Sequence, residues 1–278
     1  MNKKSHSQYP FWSILVLVTM ALLSGLFSCQ KSGEATFTDQ PVIEAYLAPG
    51  EMISVKITKK APYDGTGVVS AVNLETLVVT IISGSHEYQL ASVGNGVYQD
   101  TAGLIRVVAD SNYILRFDYN GTPVSSTTLV PSKPQSVTQS VTSITMTQFD
   151  PENPSGSTHP DPVEITFANP DDSYYLATVV CLDTTLVPIY KDSIPANDMF
   201  SSQPTTGTEI NIQPMMIRYF GLNRIILYHI NPEYSTFFMR QASTSQTYQD
   251  PPTNVDNGLG IFTGVNADTL YLNVIQGK

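Results

Sequence analysis

Apolar and polar residues alternate with a period of two along most of the chain from residue 42 onward, a pattern typical of half-buried β-strands. In residues 52–59, MISVKITK, the alternation places Ile53, Val55 and Ile57 on one face and polar side chains on the other. This face pattern predicts that each strand packs one side against a core and turns the other to solvent.

Further segments of the chain also predict strands: 77–82 (LVVTII), 112–119 (NYILRFDY), 163–168 (VEITFA), 173–182 (SYYLATVVCL) and 269–275 (TLYLNVI). LVVTII is apolar on both faces, and SYYLATVVCL also predicts a buried strand. Asn120-Gly121 follows NYILRFDY and is the dipeptide that favours a type I′ hairpin. Strands that recur every 8–12 residues with such turns favour a β-sandwich.

Residues 130–143, VPSKPQSVTQSVTS, are rich in Pro, Ser and Thr and predict a domain boundary. We therefore expect a mainly β fold: an N-terminal immunoglobulin-like or transthyretin-like β-sandwich at residues 41–135, followed by a second mainly-β domain with one short helix at 141–278. The helix is expected near residues 232–243, because Asn231 suits its N-cap and Pro232 its first position.

The N-terminus has the order of a secretory signal: Lys3 and Lys4, an apolar run over residues 11–27, and then small residues before Cys29. A transmembrane helix is the alternative, but this run is shorter than the roughly 20 apolar residues that span a bilayer. Leu-Phe-Ser-Cys at 26–29 resembles a bacterial lipobox. The sequence thus predicts a signal peptide at 1–28, acylation (palmitate) of Cys29 and a lipidated tether at 29–40.

Charge limits the partners of this chain. Its 278 residues carry a formal net charge of −10, and without the two signal-peptide lysines 12 basic residues stand against 24 acidic ones. Such a surface repels nucleic acid phosphates and anionic lipid head groups, so neither is an expected partner. The expected contact with the lipid bilayer is made through the acylated Cys29 instead. Cys181 is the remaining cysteine, which excludes a disulfide within the mature chain and predicts a small buried hydrophobe.

The stretch VDNGLGIFTG, residues 255–264, raises the question of a phosphate-binding loop. A dinucleotide fingerprint, G-x-G-x-x-G, needs a helix after it, whose N-terminus holds the pyrophosphate. Here the third glycine, Gly264, comes one position late, and strand-like residues follow. We therefore expect these glycines to form turns and a bulge between strands, and we expect no cofactor.

The chain has no G-x-S-x-G elbow and no H-E-x-x-H motif, and His86 and His229 fall in strand patterns that favour structural roles. The loop FDPENPSGSTHPDP, residues 149–162, is a candidate calcium site because hard cations prefer oxygen ligands. Its prolines nevertheless favour a plain surface loop. Its candidate ligands are Asp150, Glu152, His159 and Asp161. We expect no metal and assign no catalytic residue, but a carboxylate pair from distant strands stays open.

Four stretches resemble the short Asp-(Ser/Thr)-apolar acceptor pattern of Bacteroidota-type O-glycosylation. The acceptor residues would be Thr101, Thr184, Ser193 and Thr269. Glycosylation at these sites predicts a mature mass above that of the lipidated polypeptide.

Residues 41–64, 97–131 and 255–274 together resemble the uncharacterised Bacteroidota outer-membrane lipoproteins that carry a domain of unknown function and are commonly encoded beside TonB-dependent receptors. Asn257 to Gly264, N-G-L-G-I-F-T-G, is the most specific part, although Val265-Asn266 replaces the family's usual Gly-Tyr. The resemblance implies a C-terminal β region without a cofactor and supplies no catalytic residues. The resemblance also implies that the protein is the lipoprotein partner of an outer-membrane receptor.

From these observations we expect a lipoprotein of the cell envelope that is anchored in the outer membrane. We expect it to be a non-enzymatic accessory or binding component of a TonB-dependent uptake system, with a β-barrel receptor as its protein partner. An envelope or polysaccharide hydrolase and a structural envelope protein are the alternatives. Only Glu34 follows Cys29 closely as an acidic residue, so attachment on the periplasmic or the outer face stays open.

Overall fold

The computed structural model describes residues 37–62, 72–150, 152, 160–191, 199–241 and 252–277. Strands dominate them, and the described residues from Asp39 onward form one compact unit. The strands are β1 Pro41–Leu47, β2 Ser54–Lys59, β3 Thr80–Ser83, β4 His86–Gln89, β5 Ala91–Gly94, β6 Val97–Gln99, β7 Ser111–Tyr119, β8 Thr122–Val130, β9 Gln135–Gln139, β10 Ser143–Met146, β11 Val163–Ala168, β12 Tyr174–Cys181, β13 Met199–Ser201, β14 Glu209–Ile212, β15 Gly221–Ile230, β16 Val255–Asp256 and β17 Leu259–Gln276. A 3-10 turn spans Pro214–Met216, and helix α1 spans Pro232–Gln241.

Three sheets organise these strands. The largest has the order β13-β12-β15-β17-β1-β2-β6-β5, and β10 also pairs with β17. A five-stranded sheet has the order β16-β8-β7-β3-β4, and a three-stranded sheet has the order β14-β11-β9. The prediction of a mainly β fold with one short helix is therefore confirmed for the described part of the chain.

Strand β17 is long and changes partners along its length. Its first part pairs in parallel with β1, from Val42 opposite Leu259 to Leu47 opposite Gly264. Its middle pairs antiparallel with β15, and its last residues pair in parallel with β10. A single strand thus connects the two halves of the large sheet.

Two clusters of buried apolar residues lie on either side of this junction. The first core includes Ile43, Val55, Leu115 and Phe117 and joins β1, β2 and β6 to the five-stranded sheet. The second core includes Met146, Ile165, Ile225 and Leu272 and joins β12 and β15 to the three-stranded sheet. Strand β17 contributes Phe262 to the first core and both Leu272 and Val274 to the second.

The predicted division into residues 41–135 and 141–278 stays a prediction. The first core nevertheless contains two residues from beyond that boundary, Val255 and Phe262. Residues 255–262 therefore pack with the N-terminal half although they belong to the C-terminal part of the sequence.

Several strand predictions are confirmed in detail. In β7, Tyr113, Leu115 and Phe117 are buried, as the alternation predicted. Asn120 and Gly121 have φ values of 55° and 79°, and two successive positive φ values are the signature of a type I′ turn. Strand β12 is buried over residues 175–179, as its apolar run predicted.

The prediction of two-sided burial for LVVTII is wrong. Val79 and Ile81 are fully buried, but the Val78 side chain is 60% exposed. Strand β3 lies in the five-stranded sheet. The face that carries Val79 and Ile81 packs on the first core, whereas Thr80 and Ile82 are only half-buried. An apolar run of this length does not by itself distinguish a two-sided strand from a one-sided one.

Candidate functional site

The glycine stretch lies where β17 crosses from one half of the molecule to the other. Asn257, with a φ of 58°, and Gly258 form the turn before β17, and a strand follows them, as the sequence predicted. Gly260 and Gly264 lie inside β17 rather than in a turn. A Cβ on Gly260 would collide with the Ile43 carbonyl oxygen, and one on Gly264 with the Leu129 carbonyl oxygen. These two glycines therefore allow close backbone packing.

A network of polar side chains holds the start of helix α1 against this part of β17 and the neighbouring end of β8. Asn231 Nδ2 donates to the carbonyl oxygens of Leu129 (2.7 Å) and Gly264 (3.2 Å). The Gly264 N–H donates to Thr128 Oγ1 at 2.8 Å, and Glu233 Oε1 accepts from Thr263 Oγ1 at 3.0 Å. The start of α1 is thus bonded to both β8 and β17.

Asn231 precedes the helix as predicted, but its side-chain amide has a different role. Its backbone carbonyl accepts hydrogen bonds from the N–H groups of Tyr234 and Ser235, each at 3.1 Å. Its Nδ2 points to β8 and β17 instead and donates to carbonyl oxygens of both strands. The Asn231 side chain therefore links the start of helix α1 to strands β8 and β17.

A cleft of about 270 Å³ opens beside this network. Four segments line it: the turn before β7, the link after β8, the turn between β11 and β12, and the end of β15 with the start of α1. The lining residues are Asp110, Leu129, Pro131, Ser132, Asp171, Asp172, Ser173, Tyr174, His229, Ile230, Asn231 and Pro232. Residues far apart in the sequence thus converge at one place.

Asp110, Asp171 and Asp172 are exposed and lie on the turns around the cleft. Asp110 and Asp172 have φ values of 58° and 54°, a left-handed conformation that Asp and Asn tolerate better than most residues. The turn that carries Asp171 and Asp172 is held by Asn169, whose side chain bonds both the N–H and the carbonyl of Ser173 at 2.9 Å. The carboxylates therefore sit on well-anchored turns.

These carboxylates have no cationic partner among the residues that the structure describes. Lys133 follows the lining residue Ser132 directly, but its ammonium group pairs with Asp268 at 2.8 Å. The described lining of the cleft contains three acidic residues and neither Lys nor Arg. Walls of one charge sign concentrate counter-ions, so the cleft attracts cations.

His229 forms part of the inner wall. It is 7% exposed, its ring stacks on Tyr175 with a centroid distance of 4.6 Å, and its Nδ1 lies 2.8 Å from the Ser132 carbonyl oxygen. A carbonyl oxygen only accepts, so we assign a hydrogen to Nδ1. Nε2 has no hydrogen-bond partner within the described residues. Burial raises the pKa of the neighbouring Tyr175 phenol, and the charge of Asp171 raises it further.

The candidate calcium ligands do not converge in the part of the chain that is described. Asp150 bonds Lys191 Nζ at 3.0 Å, which lowers the pKa of its carboxyl group, and it also accepts the Glu152 N–H at 3.0 Å. His159 lies outside the described residues. No group of three His, Cys, Asp or Glu side chains among the described residues is arranged to hold a metal ion.

The predicted modification sites that the structure describes lie at the surface. Cys29 and Ser193 lie outside the described residues, whereas Thr101, Thr184 and Thr269 are exposed. Acylation and glycosylation at these positions stay predictions. Within the described residues, no helix is long and apolar enough to cross a membrane.

Cys181 is half-buried at the end of β12, with its Sγ 3.6 Å from the Phe220 carbonyl oxygen. Burial raises the pKa of this thiol, which lowers its thiolate fraction at neutral pH. These surroundings agree with the role of a small hydrophobe rather than a nucleophile.

A protein-family model, the Domain of unknown function (DUF4249), matches residues 31–270. The chain belongs to the DUF4249 family. The match includes every residue that lines the cleft and the whole glycine stretch, so both lie within the DUF4249 domain. The expected membership of an uncharacterised domain family is therefore confirmed. A search of curated proteins found no match to the chain.

Sequence reasoning did not identify the cleft. It interpreted His229 as a structural residue of a strand and did not single out Asp110, Asp171 or Asp172. Asp110 and Asp172 each precede a Ser at or just before the start of a strand, a signal that marks a turn but carries no information about which turns meet. The convergence depends on sheet order, and no local pattern encodes it.

Proposed function

We propose that this DUF4249 protein is a non-enzymatic binding component of the cell envelope, anchored in the outer membrane by an acylated Cys29 and working with a TonB-dependent β-barrel receptor. The lipobox-like residues 26–29 and the polar tether after them support the anchor. The resemblance to Bacteroidota lipoproteins supports the receptor. Two or three acyl chains on one cysteine hold a protein on a bilayer effectively permanently.

The exposure of the cleft carboxylates is the observation that supports a binding role over hydrolysis. A glycosidase needs one carboxyl group that stays protonated, which enzymes achieve by placing it in apolar surroundings. Asp110, Asp171 and Asp172 instead lie on exposed turns, where water solvates the charged form. Such groups are poorly suited to general acid catalysis.

Crosslinking in intact cells tests the receptor. The full-length protein with a C-terminal tag is crosslinked, purified from outer-membrane fractions and compared with Cys29→Ala. We expect the wild type to recover a β-barrel receptor in stoichiometric amount, and the variant to lose it together with its outer-membrane location. Recovery of the tagged protein alone would contradict the proposed partnership and would direct attention to hydrolase substrates.

A further inference from the structure

The large sheet has a face that turns away from the second core, opposite to the side chains of Val179, Ile225 and Leu272. One row of directly opposed residues on this outward face consists of Met199, Val180, Arg224 and Tyr271. The next row, toward the end of the sheet, consists of Leu182, Leu222, Asn273 and Ser143, with Ile275 two positions after Asn273 on the same face. We call these residues of the two rows, together with Ile275, the outer patch. Directly opposed side chains of antiparallel strands have Cβ atoms about 4.5–5.5 Å apart, so the members of a row are contiguous.

The outer patch exposes apolar surface. Its large apolar side chains that reach solvent are between 40% and 52% exposed: Leu182, Met199, Leu222, Tyr271 and Ile275. Isolated exposed apolar residues are common, but a contiguous group of them marks an interaction site. The patch lies on the face of a sheet and encloses no cavity, so it suits the surface of another macromolecule better than a small ligand.

Arg224 is the charged member of the outer patch, which contains neither Asp nor Glu although the chain carries 24 acidic against 14 basic residues. Among the described residues its guanidinium has no carboxylate partner, and its Nε is a buried nitrogen without a hydrogen-bond acceptor. A buried donor without an acceptor costs free energy. A guanidinium commonly donates two parallel hydrogen bonds to one carboxylate, so a partner's carboxylate would supply the acceptor that these residues lack.

Charge also distinguishes a different protein from a second copy of this chain. Two outer patches placed face to face would bring two Arg224 side chains together and no carboxylate to neutralise them. An acidic surface of one copy on the outer patch of another would be a head-to-tail contact, which forms open chains unless it closes into a ring. The patch is therefore best matched by an acidic and apolar segment of another protein.

We propose that the outer patch is the docking surface for a protein segment that places a carboxylate among apolar side chains. The carboxylate accepts hydrogen bonds from the Arg224 guanidinium, and the apolar side chains of the segment cover Leu222 and Tyr271. This inference rests on the proposed function in one respect: it takes the partner to be the TonB-dependent β-barrel receptor.

Photocrosslinking in intact cells tests which molecule covers the outer patch. The photoreactive amino acid p-benzoylphenylalanine replaces Tyr271 in the tagged full-length protein. In the control it replaces Val78, an exposed residue of the first half of the molecule, outside the patch. Mass spectrometry then identifies the crosslinked peptides. We expect position 271 to crosslink to a receptor segment that contains Asp or Glu, and position 78 not to crosslink to the receptor. A crosslink from position 271 only to a second copy of the chain, or no crosslink although the receptor copurifies, would overturn the proposal.

Charge reversal tests the role of the guanidinium. Arg116→Glu is the matched control for Arg224→Glu, because Arg116 lies at the centre of the five-stranded sheet, between Thr80 and Ser125, and also has no salt bridge within the described residues. We expect Arg224→Glu to lower the recovery of the receptor by about tenfold or more, and Arg116→Glu to change it by less than about twofold. If Arg224→Glu does not fold, Arg224→Gln removes the charge with a smaller change and is expected to lower recovery in the same direction. Equal recovery by the Arg224 and Arg116 variants would refute the docking role of the patch.

A compensating exchange makes the test specific. Changing the acidic residue of the crosslinked receptor segment to Arg should restore recovery with Arg224→Glu, and failure to restore it would contradict the proposed ion pair. The two proposals fail in different ways. If the wild-type protein recovers no receptor, the proposed function is wrong; if the wild type and Arg224→Glu recover it equally, only the assignment of the outer patch is wrong.

Discussion

At the scale of single residues, Gly264 is a position where close backbone packing leaves no room for a side chain. A Cβ there would collide with the Leu129 carbonyl oxygen and would lie 2.6 Å from Val130 Cα. Both are backbone atoms of β8, which cannot move without breaking its pairing with β7. The constraint is steric, since the φ of Gly264 is not in the left-handed region.

We predict that Gly264→Ala lowers the free energy of unfolding by about 3 kcal/mol, near the upper end for overpacked sites, because β8 and β17 must separate to accommodate the methyl group. Urea denaturation followed by circular dichroism measures this loss. Gly207→Ala is the matched control: its added Cβ would meet only the Thr205 hydroxyl at 3.3 Å, and its φ is also ordinary. Equal stability of the two variants would contradict the packing argument.

The glycine stretch also shows what a residue pattern can and cannot predict. The strand after Gly264 excluded a phosphate loop, and the structure agrees. The sequence did not show why glycine is needed at positions 260 and 264. The atoms that a side chain at Gly260 or Gly264 would meet belong to Ile43 and Leu129, more than 100 positions away. His229 was similarly assigned to a strand correctly, while its partner Ser132 and its place in the cleft depend on tertiary structure.

At the scale of secondary-structure elements, helix α1 is held to the sheets by its first residues. Asn231 Nδ2 donates to carbonyl groups of β8 and β17, and Tyr234 meets Tyr46 of β1 edge to face at a centroid distance of 5.7 Å. Burial, with smaller contributions from Tyr234 and Glu44, raises the pKa of Tyr46 to about 12. The helix thus covers part of a strand face that would otherwise be solvated.

We predict that Asn231→Asp destabilises the protein by about 2 kcal/mol. A carboxylate near a helix N-terminus gains up to about 1 kcal/mol from the helix dipole. Against this, the change removes the donor and turns a charged oxygen toward the carbonyls of Leu129 and Gly264, beside Glu233. Thermal unfolding measures the balance. Asn112→Asp, at an exposed position of β7, should stay within about 0.5 kcal/mol of the wild type.

If Asn231→Asp proved as stable as Asn112→Asp, the dipole would offset the lost hydrogen bonds, and the predicted net destabilisation would be wrong. A second comparison, Thr128→Val, removes the hydroxyl that accepts the Gly264 N–H without introducing a charge. Loss of stability in that variant would show that the network matters independently of the helix dipole.

Elements with a strong local pattern were the ones that the sequence predicted well. Strands β2, β7 and β11, the Asn-Gly hairpin and helix α1 all depend on periodicity or on turn residues that lie close together. Strand β17 was predicted only over residues 269–275, because its first part is interrupted by glycines that lower strand propensity. Which strands become neighbours, such as β17 with β1, was not encoded in any local pattern.

At the scale of the whole molecule, β17 makes the two cores dependent on each other. Phe262 lies in the first core, and Leu272 lies ten positions later in the second. Separating the cores would require breaking the pairing of β17 with β1 or with β15. Sequence composition predicted a domain boundary within residues 130–143, yet the connectivity of β17 favours one cooperative unit.

We therefore predict that a defect in either core destabilises both. Leu115→Ala in the first core and Ile165→Ala in the second each remove a fully buried side chain and should cost about 2–5 kcal/mol. Hydrogen exchange measured by mass spectrometry follows peptides from β7 and β11 separately. We expect each variant to accelerate exchange in both peptides by similar factors, as a two-state molecule requires. The exposed change Thr127→Ala should affect neither. Acceleration confined to the peptide nearest the substitution would instead show two independent domains, and the composition of residues 130–143 would then mark a true boundary.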